Sequence, residues 1–266
     1  MESASSFYIT LPSNACKDIY PENTAQEYKT QLVRSIHLSH QYEVALVQLQ
    51  FPHSWHSLSE DDSYYTYKAA TRPIHVKIPH GFYLNAEQSS QHQSLGIVNA
   101  LNNGFRKAEE EEGSESHTSI QFQYNAHDNK VELYLKNDYI LFLPKAIAEM
   151  LGFECPGRRR TFTEQNERIV AEHSVDLQRG FHSLYIYCNL CTPQFVGDAY
   201  VPLLRIVDNK GKPGEIVMTD IEHPHYVPLS VKSFNTIEIN IKNDANEFVS
   251  FTSGKVMCKL HFRIRK

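Results

Sequence analysis

Glycine is scarce in this chain, with 11 residues in 266, and tryptophan occurs once. So little glycine leaves few means of building a phosphate-cradling loop. Neither a P-loop nor a dinucleotide fingerprint occurs, and there is no G-x-S-x-G nucleophile elbow. Positive charge is not in excess. The formal net charge of -5 argues against a dedicated binder of phosphate backbones. No run approaches the ~20 apolar residues that a membrane span requires. The opening "MESASSFYITLP" lacks the basic start and long apolar stretch of a signal peptide. Sequons for N-glycosylation are absent, and the 5 cysteines are an odd number. These absences point to a chain made and kept in a reducing compartment, not one secreted through a signal peptide.

Aromatic residues are plentiful: 15 Tyr and 14 Phe favour strands. The length allows one large domain or a domain carrying an inserted one. In the first third, "FYITLP", "EYKTQLV", "YEVALVQLQFP", "YYTYKA" and "IHVKIP" read as strands divided by polar turns. The last third returns to strands in "SLYIYCNL", "YVPLLRIV", "HYVPLS", "TIEINIK" and "KVMCKLHFRI". Its alternation is clear where Ile237, Ile239 and Ile241 share one face. The middle differs. Leu95, Val98, Leu101 and Phe105 recur at helical spacing and predict a helix over 87–107, weakened by Gly96 and Gly104. "AEEEEGSES" reads as an exposed loop. "IQFQYN" and "KVELYL" form a hairpin, "YILFL" a further strand, and Pro144 to Gly152 a short helix. "CPGRRRTFTEQNER" reads as loop. The expected fold is mainly β: a single jelly-roll sandwich formed by 1–80 and 171–266, with a small α+β insertion over 81–170.

Candidate chemistry is thin. Cys188 and Cys191 have C-x-x-C spacing, but on a strand and its end positions three apart point to opposite faces. No second pair or glycine turn completes a zinc knuckle, so structural thiols are expected. His223 and His225, or His37 and His40, lack a carboxylate or thiol to complete a ligand set. No metal or other cofactor is expected. Arg158–Arg160 with Arg168 is the one basic cluster, read as a solvated loop or a contact for acid groups on a partner or a nucleic acid.

Four stretches carry a resemblance. They are "FYITLPSNAC…YPENTAQEYKTQL", "YEVALVQLQFPHSW" with Trp55, "LYIYCNLCTPQFVGDAYVPLLRIV" and the ending "KVMCKLHFRIRK". In their order and spacing the chain resembles the minor capsid (penton) proteins of Polinton/Maverick elements and their adintovirus relatives. Within the insert the likeness is confined to general order and to "LGF" (Leu151–Phe153). The resemblance implies a non-enzymatic structural protein of the virion. Five copies would form a homopentamer at each icosahedral vertex, among trimers of a double jelly-roll major capsid protein. Virophage relatives place the jelly roll at the shell and the insert outward. The basic end, Arg263, Arg265 and Lys266, either faces a packaged genome or an acidic neighbour or is a solvated tail, and a vertex fibre is a further partner. A ring needs heterologous contacts, which favour aromatic residues and arginine. The candidate contact residues are Pro193, Gln194, Val196, Gly197 and Asp198, with Trp55 as a second candidate or a core anchor. Two other readings stand beside this one. One is a jelly-roll binding module for glycans or a receptor, using Tyr124 and His127–Asn129, with domestication from a mobile element as one origin. The other is a cysteine hydrolase using Cys16, Cys155 or Cys191 with a distant histidine.

Overall fold

The computed structural model describes residues 5–69, 72–87, 96–111, 119–136, 138–163, 167–179 and 181–265. The chain divides into two units, Met1–Trp55 with Phe181–Lys266, and His56–Gly180.

The first unit opens with β1 (Ser6–Pro12), β2 (Glu27–His37) and β3 (Tyr42–Pro52). The second follows with β4 (Tyr64–Ala69), β5 (Arg72–Lys77), α1 (Ile97–Glu111), β6 (Ile120–Asn125), β7 (Lys130–Leu135), β8 (Tyr139–Pro144), α2 (Lys145–Met150), β9 (Arg159–Phe162) and β10 (Glu167–Val170). The chain returns to the first unit through β11 (Ser183–Cys188), β12 (Gln194–Val196), β13 (Ala199–Val201) and β14 (Leu203–Asp208). It ends with β15 (Ile216–Asp220), β16 (Val227–Pro228), β17 (Ser233–Lys242) and β18 (Met257–Ile264).

Two antiparallel sheets form the first unit. One runs β1-β18-β3-β15, with β16 also on β3, and the other runs β14-β11-β17-β2. Setting aside the short β12, β13 and β16, the eight strands of this unit take the orders 1-8-3-6 and 5-4-7-2. That is the double Greek key of a jelly roll, so the expected fold class holds. Period-two alternation builds it. Ile237, Ile239 and Ile241 of β17 are buried, as are Cys258, Leu260 and Phe262 of β18, while their neighbours face outward. The two inner faces share one core, which also takes in Leu11, Leu49 and Ile186. Tyr28 of β2 crosses that core: its hydroxyl donates to the Leu11 carbonyl of β1, in the opposite sheet, at 3.1 Å. Burial holds the Tyr28 phenol well above its ordinary pKa.

The second unit has its own core. It contains a four-stranded sheet, β5-β4-β8-β9, and a three-stranded one, β10-β7-β6. The structure departs from the sequence expectation in several places. The insert is not small: at 56–180 it is close to half the chain. The expected limits at 80 and 171 fall inside it, because β4 pairs with β8 and so draws β4 and β5 into this unit. After β10 the chain also stays there, with Ala171 N bonding Val131 O and His173 N bonding Gly152 O. Helix α1 starts at Ile97 rather than 87, and it runs on through the first glutamates of "AEEEE". Residues 88–95 and 112–118, with Leu95 and the rest of that acidic run, lie outside the described residues. Gly104 lets α1 approach the sheet closely. A Cβ there would lie 2.9 Å from Val76 Cγ1 and 3.2 Å from Ile78 Cγ2. The arginine-rich "loop" contains β9 and the start of β10.

Trp55 lies in the first unit and reports its unfolding. Tyr28→Phe should lower that unit's stability by about 1 kcal/mol through loss of the intersheet hydrogen bond. Leu260→Ala should cost roughly 2–5 kcal/mol through a core cavity. Urea unfolding followed by Trp55 fluorescence measures both. A Tyr28→Phe midpoint equal to that of the parent chain would remove the hydrogen bond from this account.

Candidate subunit-contact surface

Strand β11 ends at Cys188, and the next residues do not continue it. Asn189 and Leu190 turn the chain so that Cys191 N bonds Cys188 O at 3.0 Å. Cys191 then bridges to Leu229, and Thr192 N bonds Pro228 O at 2.8 Å. The opposite-face geometry expected for the two cysteines therefore fails. The turn brings both thiols into the jelly-roll core, where each is buried. A hydrogen bond with Cys188, together with burial, pushes the Cys191 thiol up in pKa, and burial pushes Cys258 up to about 12. All five cysteines are free thiols. Among the described residues, no group of three or more His, Cys, Asp or Glu is gathered as a metal site.

From this buried base a hairpin projects. Strands β12 and β13 form a two-stranded sheet with register Gln194↔Val201, Phe195↔Tyr200 and Val196↔Ala199. Gly197 takes φ +59 at the first central position of its two-residue loop, where glycine is favoured because it has no side chain to clash. Gln194 Nε2 donates to the Leu203 carbonyl at 2.7 Å and ties the hairpin base to the start of β14. Phe195 and Tyr200 oppose each other on one face with ring centroids 5.0 Å apart. They remain 83% and 61% exposed. Phenylalanine is normally among the more buried residue types, and an exposed pair of rings on a pinned hairpin is suited to contact with another surface.

Of the sequence candidates, Pro193, Gln194 and Val196 are half-buried at the base and flank of the hairpin, and Gly197 and Asp198 form its exposed tip. Trp55 is elsewhere. It is 8% exposed and packs against His53 (4.1 Å between centroids), Phe181 (5.0 Å) and Phe251 (5.7 Å). It is a core anchor and offers no contact surface. Phe195 and Tyr200 were missed. The available signal was their symmetric placement about Gly-Asp, two residues either side of the turn.

The residues of the other two readings are engaged locally. Tyr124 donates its hydroxyl to Asn129 Oδ1 at 2.7 Å, and Asp128 Oδ1 accepts from Lys130 N at 3.2 Å, so this hairpin turn uses its own polar groups. Cys16 Sγ donates to Gln31 O at 3.6 Å and Cys155 Sγ to Gly157 O at 3.4 Å. Neither contact activates a thiol as an imidazole would. His223 and His225 are exposed and outside any strand. No helix among the described residues is long and apolar enough to cross a membrane.

No protein-family model matches the chain, and no curated protein matches it. Among solved structures, it is similar to the mavirus penton protein, with 12% identity, TM-score 0.47, and coverage of 97% of this chain and 98% of that one. It is also similar to a chain from the Sputnik virophage, with 11% identity, TM-score 0.41, and coverage of 98% of each.

Native thiol labelling tests the burial described. Cys16, the half-buried thiol, should react first with a disulfide reagent at neutral pH. Cys188, Cys191 and Cys258 should react only at the rate of global unfolding. Rapid labelling of Cys188 or Cys191 in the folded chain would show that the turn is open.

Proposed function

We propose that this chain is a structural vertex (penton) subunit of an icosahedral capsid, with the β12–β13 hairpin as a contact between subunits. The observation that carries the reading is the exposed Phe195–Tyr200 pair, held on a short hairpin by a buried base. Three kinds of support converge on it. The first unit has jelly-roll strand order, an architecture used by capsid and lectin domains alike. The sequence stretches that resemble Polinton/Maverick penton proteins fall on β1 and β2, on β3, on β11 to β14 with this hairpin, and on β18. A ring also needs two different surfaces on each subunit. Edge strand β15 supplies exposed Ile216 and Met218 as a second apolar patch, distinct from the hairpin. A homopentamer seated among double jelly-roll major capsid trimers, with no enzymatic step, follows from the same reading. Weak pairwise contacts would leave the isolated subunit monomeric until a shell closes around it.

Co-expression with a double jelly-roll major capsid protein of the same element, followed by electron microscopy, tests this. Closed shells should carry fivefold density of this chain at their vertices. Phe195→Ser with Tyr200→Ser should fold normally, since both side chains are exposed, yet reduce vertex occupancy at least about tenfold, as expected for loss of aromatic anchors. Shells with empty vertices in the presence of the parent chain would reject the vertex role. Full occupancy by the double variant would reject the hairpin as the contact.

A further inference from the structure

The four-stranded sheet of the insert buries one face and presents the other. Tyr65 and Tyr67 of β4, Val76 of β5, Leu141 and Leu143 of β8 and Phe162 of β9 point into the core. Alternation turns their neighbours outward. The outward basic side chains on these strands are Lys68, His75, Lys77 and Arg159, and no carboxylate on these strands faces outward among the described residues; Glu60, just before β4, meets Lys77 at the border of the face. This concentration of positive charge runs against the sign of the whole chain, which is -5.

Local geometry holds the cations in place. The Arg159 guanidinium carbon lies 5.0 Å from the centre of the Phe142 ring, and Lys77 Nζ lies 5.2 Å from that of Tyr64. Rings hold a cation without neutralising it. Lys77 also meets Glu60 at 3.1 Å, an exposed pair that contributes little. Between the cations, Thr66 Oγ1 lies 2.9 Å from His75 Nδ1. Thr66 also sits opposite Phe142, and Phe142 opposite Thr161, so one row crosses four strands. The arginine cluster read from sequence is thereby divided. Arg160 bonds Glu172 at 3.2 Å, and Arg168 Nε bonds the buried Glu132 at 2.7 Å. Arg158 and Arg159 are left exposed at the edge strand.

We propose that this outward face of β5-β4-β8-β9 binds an acidic polysaccharide, a sugar chain bearing sulfate or carboxylate groups. Lys68, Lys77 and Arg159 take the acid groups, and Thr66, Thr161 and His75 meet hydroxyls between them. Neighbouring strands lie about 4.8 Å apart, so the polar row offers partners at regular intervals along an extended chain. Single-stranded nucleic acid fits less well. Its bases need open ring faces for stacking, and here Lys77 and Arg159 lie over the rings of Tyr64 and Phe142. The inference is independent of the vertex role, since it concerns the insert's own sheet.

The test uses the full chain and isothermal titration calorimetry at low salt. The probes are a heparin oligosaccharide, the same oligosaccharide chemically desulfated, and a single-stranded DNA of equal charge. Heparin should bind, and the desulfated sugar, which keeps only its carboxylates, should bind at least about tenfold more weakly, with affinity falling as salt rises. Lys68→Glu with Arg159→Glu should weaken heparin binding by about tenfold or more, an effect of ~1.4 kcal/mol. Lys212→Glu, in the other unit, should leave it unchanged. If the charge-reversed pair does not fold, Lys68→Ala with Arg159→Ala replaces it with the same expectation. Absence of heparin binding, equal binding by the face variants, or tighter binding of the DNA would each overturn the assignment.

Discussion

Two sheets of four strands each must cover one another, and the rest of the first unit follows from that burial. Every second side chain of β11, of β18 and of β17 from Ile237 enters the space between the sheets, as do Val44 and Leu46, then Leu49 and Phe51, on either side of a bulge in β3, and a shift by one residue would turn that set to solvent. Hydrophobic burial there is non-directional, so it does not by itself fix how one sheet lies over the other. The Tyr28 hydroxyl adds direction, because it must reach the Leu11 carbonyl across the core. Leu11 belongs to β1, and β1 is locked in seven-residue register with β18, from Ser6↔Arg263 to Pro12↔Met257. One polar contact thus links the first two strands of the chain to its last.

The same core explains how nearly half the chain can be inserted after β3. Trp55 and Phe181, the residues on either side of the insert, meet ring to ring at 5.0 Å within the first unit. A loop whose ends are already held together can be lengthened at small entropic cost, because that cost grows only slowly with length. The insert brings its own core, separate from the core of the first unit. Trp55 therefore earns its place as the clasp of the insertion point rather than as a surface contact.

Legibility in the sequence followed the sharpness of alternation. Strands β17 and β18 were readable because Ile237, Ile239 and Ile241, then Cys258, Leu260 and Phe262, are apolar at every buried position. Strand β15 was not recognised, although it completes the jelly roll. It is an edge strand whose Ile216 and Met218 are exposed, so its apolar positions do not mark the core. The domain limits were misplaced because β4 and β5 look like the strands before them. Strand β4 pairs with β8, more than sixty positions away, and β5 joins through β4, which local pattern does not encode. The two thiols of "CNLC" were set on opposite faces by a strand rule that stops applying one residue after Cys188. In the hairpin, the turn residues were legible from Gly197 and Asp198. The exposure of Phe195 and Tyr200 was not, because aromatic residues on a short strand ordinarily signal burial.

An exposed aromatic pair on a pinned hairpin is a small, rigid feature with little ordering left to lose on contact. Under the proposed vertex role, one of the two contact surfaces of the first unit would sit at this loop, with the sandwich beneath it as support. The measurement that bears most directly on this is amide hydrogen exchange of the chain alone and within assembled shells. The account predicts strong new protection over residues 194–201 on assembly, with β17 and β18 protected equally in both states. Unchanged exchange at 194–201 in shells that contain the protein would contradict it.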